Sequence, residues 1–316
     1  MGFAGLLGNR RLKDNLTAGA SRGKLAHFYL ISGPEGSGKK TLARLLAAAA
    51  LCRESGEKPC LRCNDCRKVM SGTHPDFITV EDPEHKTVPV KMVRAYRDDI
   101  FVRPNEGDKK VYLFPQELGQ EGYNALLKVF EEPPAYGVFL MLTDNPEKIL
   151  PTVRSRCQEL ALQALPRELL QKELEKLYPQ AQEASISAAI DRSGGYLGQA
   201  KALLDQGDQE DPGTEAFLRS MMDRDPVTLL QVLVSMEKCK RDQLLPVLQS
   251  WLDTVQQAVV CRSGGTVISQ AARDLAAHRS AKDLLDAVQK LQKAVEYTQG
   301  NVSPAAVCGY LVWALR

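Results

Sequence analysis

The chain lacks three features that would settle its class at once. It has little net charge: 41 Lys and Arg stand against 39 Asp and Glu, a formal +2 at pH 7. That balance argues against strong general attraction to nucleic acid and leaves room only for local basic patches. It has no long hydrophobic run, since the apolar stretch 45–51 is too short to cross a bilayer. No secretory signal is visible, and Met1-Gly2 is not followed by the Ser/Thr of a myristoylation signal. The expectation is a cytoplasmic protein with no membrane attachment. Repeats and low-complexity segments are also missing. The remaining composition is ordinary, 44% hydrophobic and 25% charged over 316 residues, enough to bury a substantial core in two or three domains.

The eight cysteines are distributed unevenly. Cys157, Cys239, Cys261 and Cys308 are scattered, whereas four lie between Cys52 and Cys66, which is not the pattern of a secreted disulfide framework. Cys60, Cys63 and Cys66 follow one another at C-x2-C steps, with Cys52 upstream and Arg, Lys, Asn and Asp around them. Thiolates so spaced can close on one tetrahedral Zn²⁺ and hold a segment too small to own a core. A redox pair would leave two cysteines superfluous, and four reduced surface thiols would be an oxidation hazard. His74 reads as a loop residue beside Pro75. With Cys52, Cys60, Cys63 and Cys66 as ligands no coordination position is open to a catalytic water, so the expected zinc is structural.

Gly33-Pro34-Glu35-Gly36-Ser37-Gly38-Lys39-Lys40-Thr41 is a phosphate-binding loop in all but one place. In such a loop Gly33, Gly36 and Gly38 let backbone N–H groups curl around phosphates, Lys39 reaches the terminal phosphates, and the next residue's hydroxyl holds magnesium. Here that next residue is Lys40. Thr41 is rotated about 100° further around the helix and cannot simply take its place. The flanks suit the motif: His27-Phe28-Tyr29-Leu30-Ile31 reads as a buried strand, and Leu42, Leu45 and Leu46 mark a helix beyond the loop. A strand, a glycine loop and a helix N-terminus form an anion site with or without metal. Taken alone, the loop fits either a nucleotide site or a plain glycine turn.

Further strands are expected at Asp76-Phe77-Ile78-Thr79-Val80, Val111-Tyr112-Leu113-Phe114 and Val138-Phe139-Leu140-Met141-Leu142. Helices fall between them, one entered after Pro89 with Val90, Val93, Tyr96 and Arg97, another through Asn124 to Phe130 that stops at Pro133-Pro134. The alternation predicts an α/β fold with a mainly parallel sheet covered on both faces. From about Pro166 the strand signal disappears. Leu244, Leu248, Trp251, Val255 and Val259 share one helical face, as do Leu284, Val288, Leu291 and Val295, so the remainder should be helical. Breaks are expected at Gly194-Gly195 and across the polar stretch 206–213.

Taken in order, several motifs resemble bacterial clamp-loader AAA+ subunits: Gly8-Asn9, the His27 strand, the phosphate loop, the four-cysteine insertion, Asn124-Ala125-Leu126-Leu127-Lys128 with Glu131-Glu132-Pro133-Pro134, and Ser155-Arg156-Cys157. The match runs motif by motif over roughly the first 200 residues. The helical remainder fits by length and by Asn301-Val302-Ser303-Pro304 near the last helix. The resemblance implies an AAA+ RecA-like domain over 1–163 carrying the zinc module at 52–66, a helical lid over 164–208 and an all-α collar over 209–316 for oligomerisation.

It also implies what an ATP-hydrolysing member would need. The strand ending at Phe114 would run into Asp-Glu, for magnesium and for polarising water, but this chain has Pro115-Gln116, with Glu117 out of register. The lid's ATP-sensing arginine would fall at Gly198. Thr143 is a weak candidate for the polar sensor. Lys40, Pro115-Gln116 and Gly198 together predict a chain without ATPase activity of its own, leaving ATP binding through Gly33, Gly36, Gly38 and Lys39 doubtful. Arg156 matches the arginine finger that such subunits project into a neighbour's ATP site; a salt-bridged arginine at a helix end is the plainer alternative. The expected role is a stator-type subunit of a hetero-oligomeric ring with tau/gamma and delta subunits, acting indirectly on a sliding clamp and primer-template DNA. An ATP-hydrolysing motor of the tau/gamma type is the main rival. A zinc-dependent nucleic-acid-binding module is disfavoured by the neutral charge.

Overall fold

A computed structural model describes residues 2–85, 87–206, 212–265, 269–300 and 302–315. The chain divides into two units, Met1–Asp205 and Gln206–Arg316.

The first unit is built on strands β1 (Phe28–Ser32), β2 (Phe77–Thr79), β3 (Lys110–Phe114), β4 (Gly137–Thr143) and β5 (Gln158–Ala161), in the spatial order β2-β3-β4-β1-β5. All pairings are parallel, with Leu30 opposite Met141 and Ile31 opposite Leu142 where β1 meets β4. Every residue of β1, β3 and β4 is buried, as continuous apolar runs require when both faces of a parallel sheet are covered. Successive side chains point to opposite faces and feed two separate cores. Tyr29, Ile31, Val111, Leu113, Leu140 and Leu142 join one; Phe28, Leu30, Tyr112, Phe114, Phe139 and Met141 join the other.

Helices α1 (Arg10–Ser21) and α2 (Lys39–Leu51) cover the first face, and α3 (Asn64–Ser71), in the cysteine segment, packs on α2 through Cys66 and Val69. On the second face lie α4 (Val90–Asp99), α5 (Gln120–Glu131) and α6 (Pro151–Arg154). There Phe28 stacks on Phe130 with ring centroids 4.3 Å apart, and Phe139 meets both rings edge-on. The α/β expectation therefore holds, with each predicted strand in place. β5 is an addition: it is an edge strand whose single buried residue, Leu160, gives no hydrophobic run to read.

Three further helices complete this unit, α7 (Arg167–Leu177), α8 (Glu183–Arg192) and α9 (Leu197–Gln206), around Leu170, Leu174, Ile186, Ile190 and Ala200. Gly194-Gly195 separates α8 from α9, as the sequence predicts.

The second unit is all helix among its described residues: α10 (Pro212–Asp223), α11 (Pro226–Met236), α12 (Arg241–Arg262), α13 (Gln270–His278), α14 (Ala281–Gln299) and α15 (Pro304–Ala314). Leu244, Leu248, Trp251 and Val255 are fully enclosed on one face of α12, and Leu284, Leu291 and Val295 are buried on α14. Val259 and Val288, expected on the same stripes, are only partly covered. Trp251 lies flat on Phe217, centroids 3.9 Å apart and planes within 1°, and its indole N–H donates to Thr214 Oγ1 over 3.0 Å. Of the expected break at 206–213, residues 207–211 lie outside the described ones, as does Asn301 before α15, while Gly213 is already within α10.

One buried charge ties the sheet edge to the loop before β3. Asp76 is wholly buried, and its two carboxylate oxygens accept the main-chain N–H groups of Asn105, Glu106 and Gly107 and the Asn105 amide. Burial alone would raise this carboxyl; the donors outweigh it and hold it below its ordinary value. A depressed carboxyl contributes stability above its unfolded pKa that is lost as pH falls through the folded one. Asp76→Asn should therefore unfold about 1–3 kcal/mol more easily at pH 7, with a flatter stability profile below pH 4–5 than the wild type. Urea unfolding across that pH range checks both.

Candidate functional site

Because all five strands run the same way, their C-terminal ends open on one edge, where ligands of open α/β sheets bind. The phosphate loop leaves β1 there, and Gly33 N–H donates to the Thr143 carbonyl at the end of β4 over 3.2 Å. Gly38, at φ 97, caps α2, so the loop turns into a helix N-terminus whose free amides and dipole favour an anion.

Lys39 is already engaged. Its Nζ donates to the Gly33 carbonyl at 2.5 Å and the Pro34 carbonyl at 2.9 Å, and pairs with Asp144 Oδ1 at 2.5 Å. Asp144 was not singled out by sequence reasoning; the signal available was its place directly after a predicted strand at the ligand-binding edge. The Ser37 hydroxyl is buried without a hydrogen-bond partner among the described residues.

The positions that would carry ATP chemistry make other contacts. After β3, Gln116 accepts from Asp82 N–H over 2.9 Å and donates to the His85 carbonyl, tying down the 82–85 turn. Glu117 lies 3.7 Å from Lys148. Thr143 is buried, and its hydroxyl closes a turn with the main chain of Asn145. Gly198, near the start of α9, gives its N–H to the Gly36 carbonyl over 2.9 Å. Lysine thus stands in the hydroxyl position, Pro115-Gln116 directly follow β3, and the next carboxylate, Glu117, lies by Lys148.

Arg156 belongs to the opposite edge. It sits between α6 and β5, just before β5 begins, and β5 runs parallel to β1, so about 13 Å of strand separates it from the phosphate-loop edge. Its guanidinium pairs with Glu131 at 2.9 Å and donates to the Thr152 carbonyl at 2.7 Å; the arginine and glutamate side chains are 35% and 46% exposed. Arg154 is held separately by Glu147 and Glu159.

The four cysteines converge. The sulfurs of Cys52, Cys60, Cys63 and Cys66 all lie within 4.8 Å of one another, and Cys60 Sγ is 3.9 Å from Cys66 Sγ. A tetrahedron with metal–sulfur bonds of about 2.3 Å has edges of about 3.8 Å, so the donor set fits a metal such as zinc. Cys63 and Cys66 main-chain N–H groups point at the sulfurs of Cys60 and Cys63, over 3.3 and 3.4 Å. Burial would raise the Cys60 thiol, but N–H donors from Arg62 and Cys63 outweigh it and bring it down to about 6, whereas burial prevails at Cys63 and Cys66 and pushes those thiols up. The segment packs into a core it shares with α2, to which Cys52, Cys60, Cys66 and Val69 belong. His74 is a loop residue, but a buried one. It stays outside the sulfur cluster, accepting from Asp76 N–H and lying 3.8 Å from Asp65, which Arg53 grips with two bonds of 2.8 and 2.9 Å.

Residues 8–166 match the family described as DNA polymerase III, delta subunit. The tau subunit of DNA polymerase III from Salmonella typhimurium is 34% identical over 246 residues, 73% of this chain and 38% of the relative. The delta' subunit from Bacillus subtilis is 33% identical over 153 residues, 48% of this chain and 46% of the relative. The chain thus spans less than half the length of each of these relatives. Among solved structures, a DNA polymerase III gamma subunit-related protein from Thermotoga maritima aligns over 96% of this chain and 99% of its own at 16% identity, with a TM-score of 0.47. The long family match, together with a tau relative 34% identical across 73% of the chain, means that the chain belongs to the clamp-loader subunits of DNA polymerase III.

Proposed function

We propose that the chain is the delta-prime (stator) subunit of the clamp loader, does not turn over ATP itself, and lends Arg156 to the ATP site of an adjoining tau/gamma-type subunit. In this reading residues 1–163 are the AAA+ core, 164–208 the lid and 209–316 a collar that assembles with tau/gamma and delta subunits. The sliding clamp and primer-template DNA are then reached through the assembly. The observation that carries the reading is the division between the two sheet edges. The phosphate loop faces Gln116 and Gly198 where carboxylate and arginine would be needed, while Arg156 lies across the sheet from it and so cannot serve it. An arginine there can act only on a site that another subunit brings up.

Arg156 suits that use. Its partner Glu131 is exposed, and exposed ion pairs are worth about 0–1 kcal/mol, so exchanging one carboxylate for a phosphoryl oxygen costs little. The guanidinium plane can then meet the transferring phosphoryl group with two parallel N–H bonds as charge develops. Zinc, when bound by Cys52, Cys60, Cys63 and Cys66, supplies a cross-link between Cys52 at the end of α2 and residues 60–66, with no coordination position left for chemistry.

The longer match to tau subunits, 73% of the chain against 48% for the delta' relative, favours a second reading as an ATP-hydrolysing motor. Turnover by the isolated chain decides between them. The proposal expects none above background, with Lys39→Ala changing nothing; turnover abolished by that substitution would establish the motor.

In a reconstituted loader, Arg156→Ala should lower turnover at the neighbouring site by on the order of 10³-fold while assembly is unchanged. Unaltered DNA-stimulated ATPase would remove the finger role. The purified protein should carry stoichiometric zinc by mass spectrometry, and Cys63→Ser should lose it. Its melting temperature should then fall by about 2–4 °C for each kcal/mol of lost stability.

A further inference from the structure

Between the start of α9 and the phosphate loop the closest approach is main chain on main chain, at Gly198 and Gly36. The Gly198 N–H reaches the Gly36 carbonyl at 2.9 Å, and Gln199 Nε2 donates to the Glu35 carbonyl at 3.0 Å. A Cβ placed on Gly198 would lie 2.5 Å from the Gly36 Cα and 2.8 Å from its carbonyl oxygen. One placed on Gly36 would lie 2.5 Å from the Gln199 nitrogen and 2.9 Å from the Gly198 carbonyl carbon. The obstructing atoms are main chain on both sides and cannot swing away as a side chain would. Gly36 also holds φ 76, in the left-handed region that glycine adopts without strain.

We propose that Gly36 and Gly198 are positioning residues that latch the lid directly onto the phosphate loop, so that main-chain contact and not nucleotide sets where the lid sits. The Gly198 N–H is already spent on the Gly36 carbonyl, so it could meet a phosphate oxygen only by leaving that acceptor. The loop lysine does not oppose closure, because Gly33, Pro34 and Asp144 already satisfy it. A triphosphate that used lid and loop together would first have to break the latch. The inference rests on the non-hydrolysing reading and deepens it: the residue at position 198 is a docking surface for the lid as well as an absent charge.

Hydrogen exchange on the full chain tests the latch, with the magnesium complex of ATPγS as the nucleotide. In the wild type, amides of the phosphate loop and α9 should exchange slowly without nucleotide, and 1 mM ATPγS should leave their rates unchanged. Gly198→Ala should speed exchange across 33–38 and 197–206 at least 10-fold while β3, β4 and the helical unit stay at wild-type rates. Gln199→Ala, which removes one side-chain bond and no main-chain fit, should give a smaller rise, about 3-fold, in the same segments and guards against a variant that fails to fold. A wild-type lid protected only when ATPγS is present would overturn the proposal, as would Gly198→Ala or Gln199→Ala exchanging like the wild type. ATP turnover by the wild type would defeat the non-hydrolysing reading instead, leaving the exchange rates to judge the latch.

Discussion

A sheet whose strands all point one way has two chemically different edges, and the rest of the first unit is arranged around that polarity. Parallel pairing needs crossover connections, and here they are helices on both faces. Strand C-termini therefore gather at one edge and N-termini at the other. The phosphate loop, Gln116, Thr143 and Asp144 follow from the first edge, and Arg156 from the second. No residue of one set can move to the other without breaking a ladder whose register is fixed by two buried faces. The proposed split between a non-hydrolysing loop and a finger offered to a neighbour is in this sense a consequence of strand direction.

How much of this could be read in advance depended on whether a residue's role was local. β1, β3 and β4 were legible because strands buried on both faces are continuous apolar runs, and Leu42, Leu45 and Leu46 marked α2 by helical spacing. β5 was illegible because an edge strand with three exposed residues carries no such run. The cysteine cluster was legible from spacing alone, since ligands close in sequence meet without help from the fold. Its packing against α2 was not, because Cys66 and Val69 lie in a hydrophilic stretch and nothing local says which side they turn. Asp144 reaches Lys39 across 105 residues of chain, and Gln199 reaches Glu35 across 164; contacts that long belong to topology. At Gly198 the missing charge was visible in the sequence while the backbone fit was not.

The cysteine segment and the loop before β3 share a continuous set of charged contacts. Arg53 grips Asp65 and reaches the Glu106 carbonyl, Lys68 pairs with Glu106 at 2.7 Å, and Asp76 holds the main chain of 105–107 from beneath. Burial strengthens the bonds to Asp65 and Asp76 and makes either carboxylate costly to leave unpaired, whereas the Lys68–Glu106 pair is solvent-exposed and contributes little. The cysteine segment and this loop are consequently tied together, although they are separated in sequence by β2 and α4.

The stack of Trp251 on Phe217 has a spectroscopic consequence. The chain's two indoles, Trp251 and Trp313, both lie in the helical unit, one fully enclosed and the other 74% exposed. Intrinsic emission excited at the tryptophan edge is therefore blind to the sheet-bearing unit. It reports the helical unit twice, through an enclosed donor flat against a phenyl ring and a solvated one on the surface of α15. The sheet-bearing unit contributes only tyrosine, which the helical unit also carries at Tyr297 and Tyr310, so tryptophan emission labels the helical unit alone.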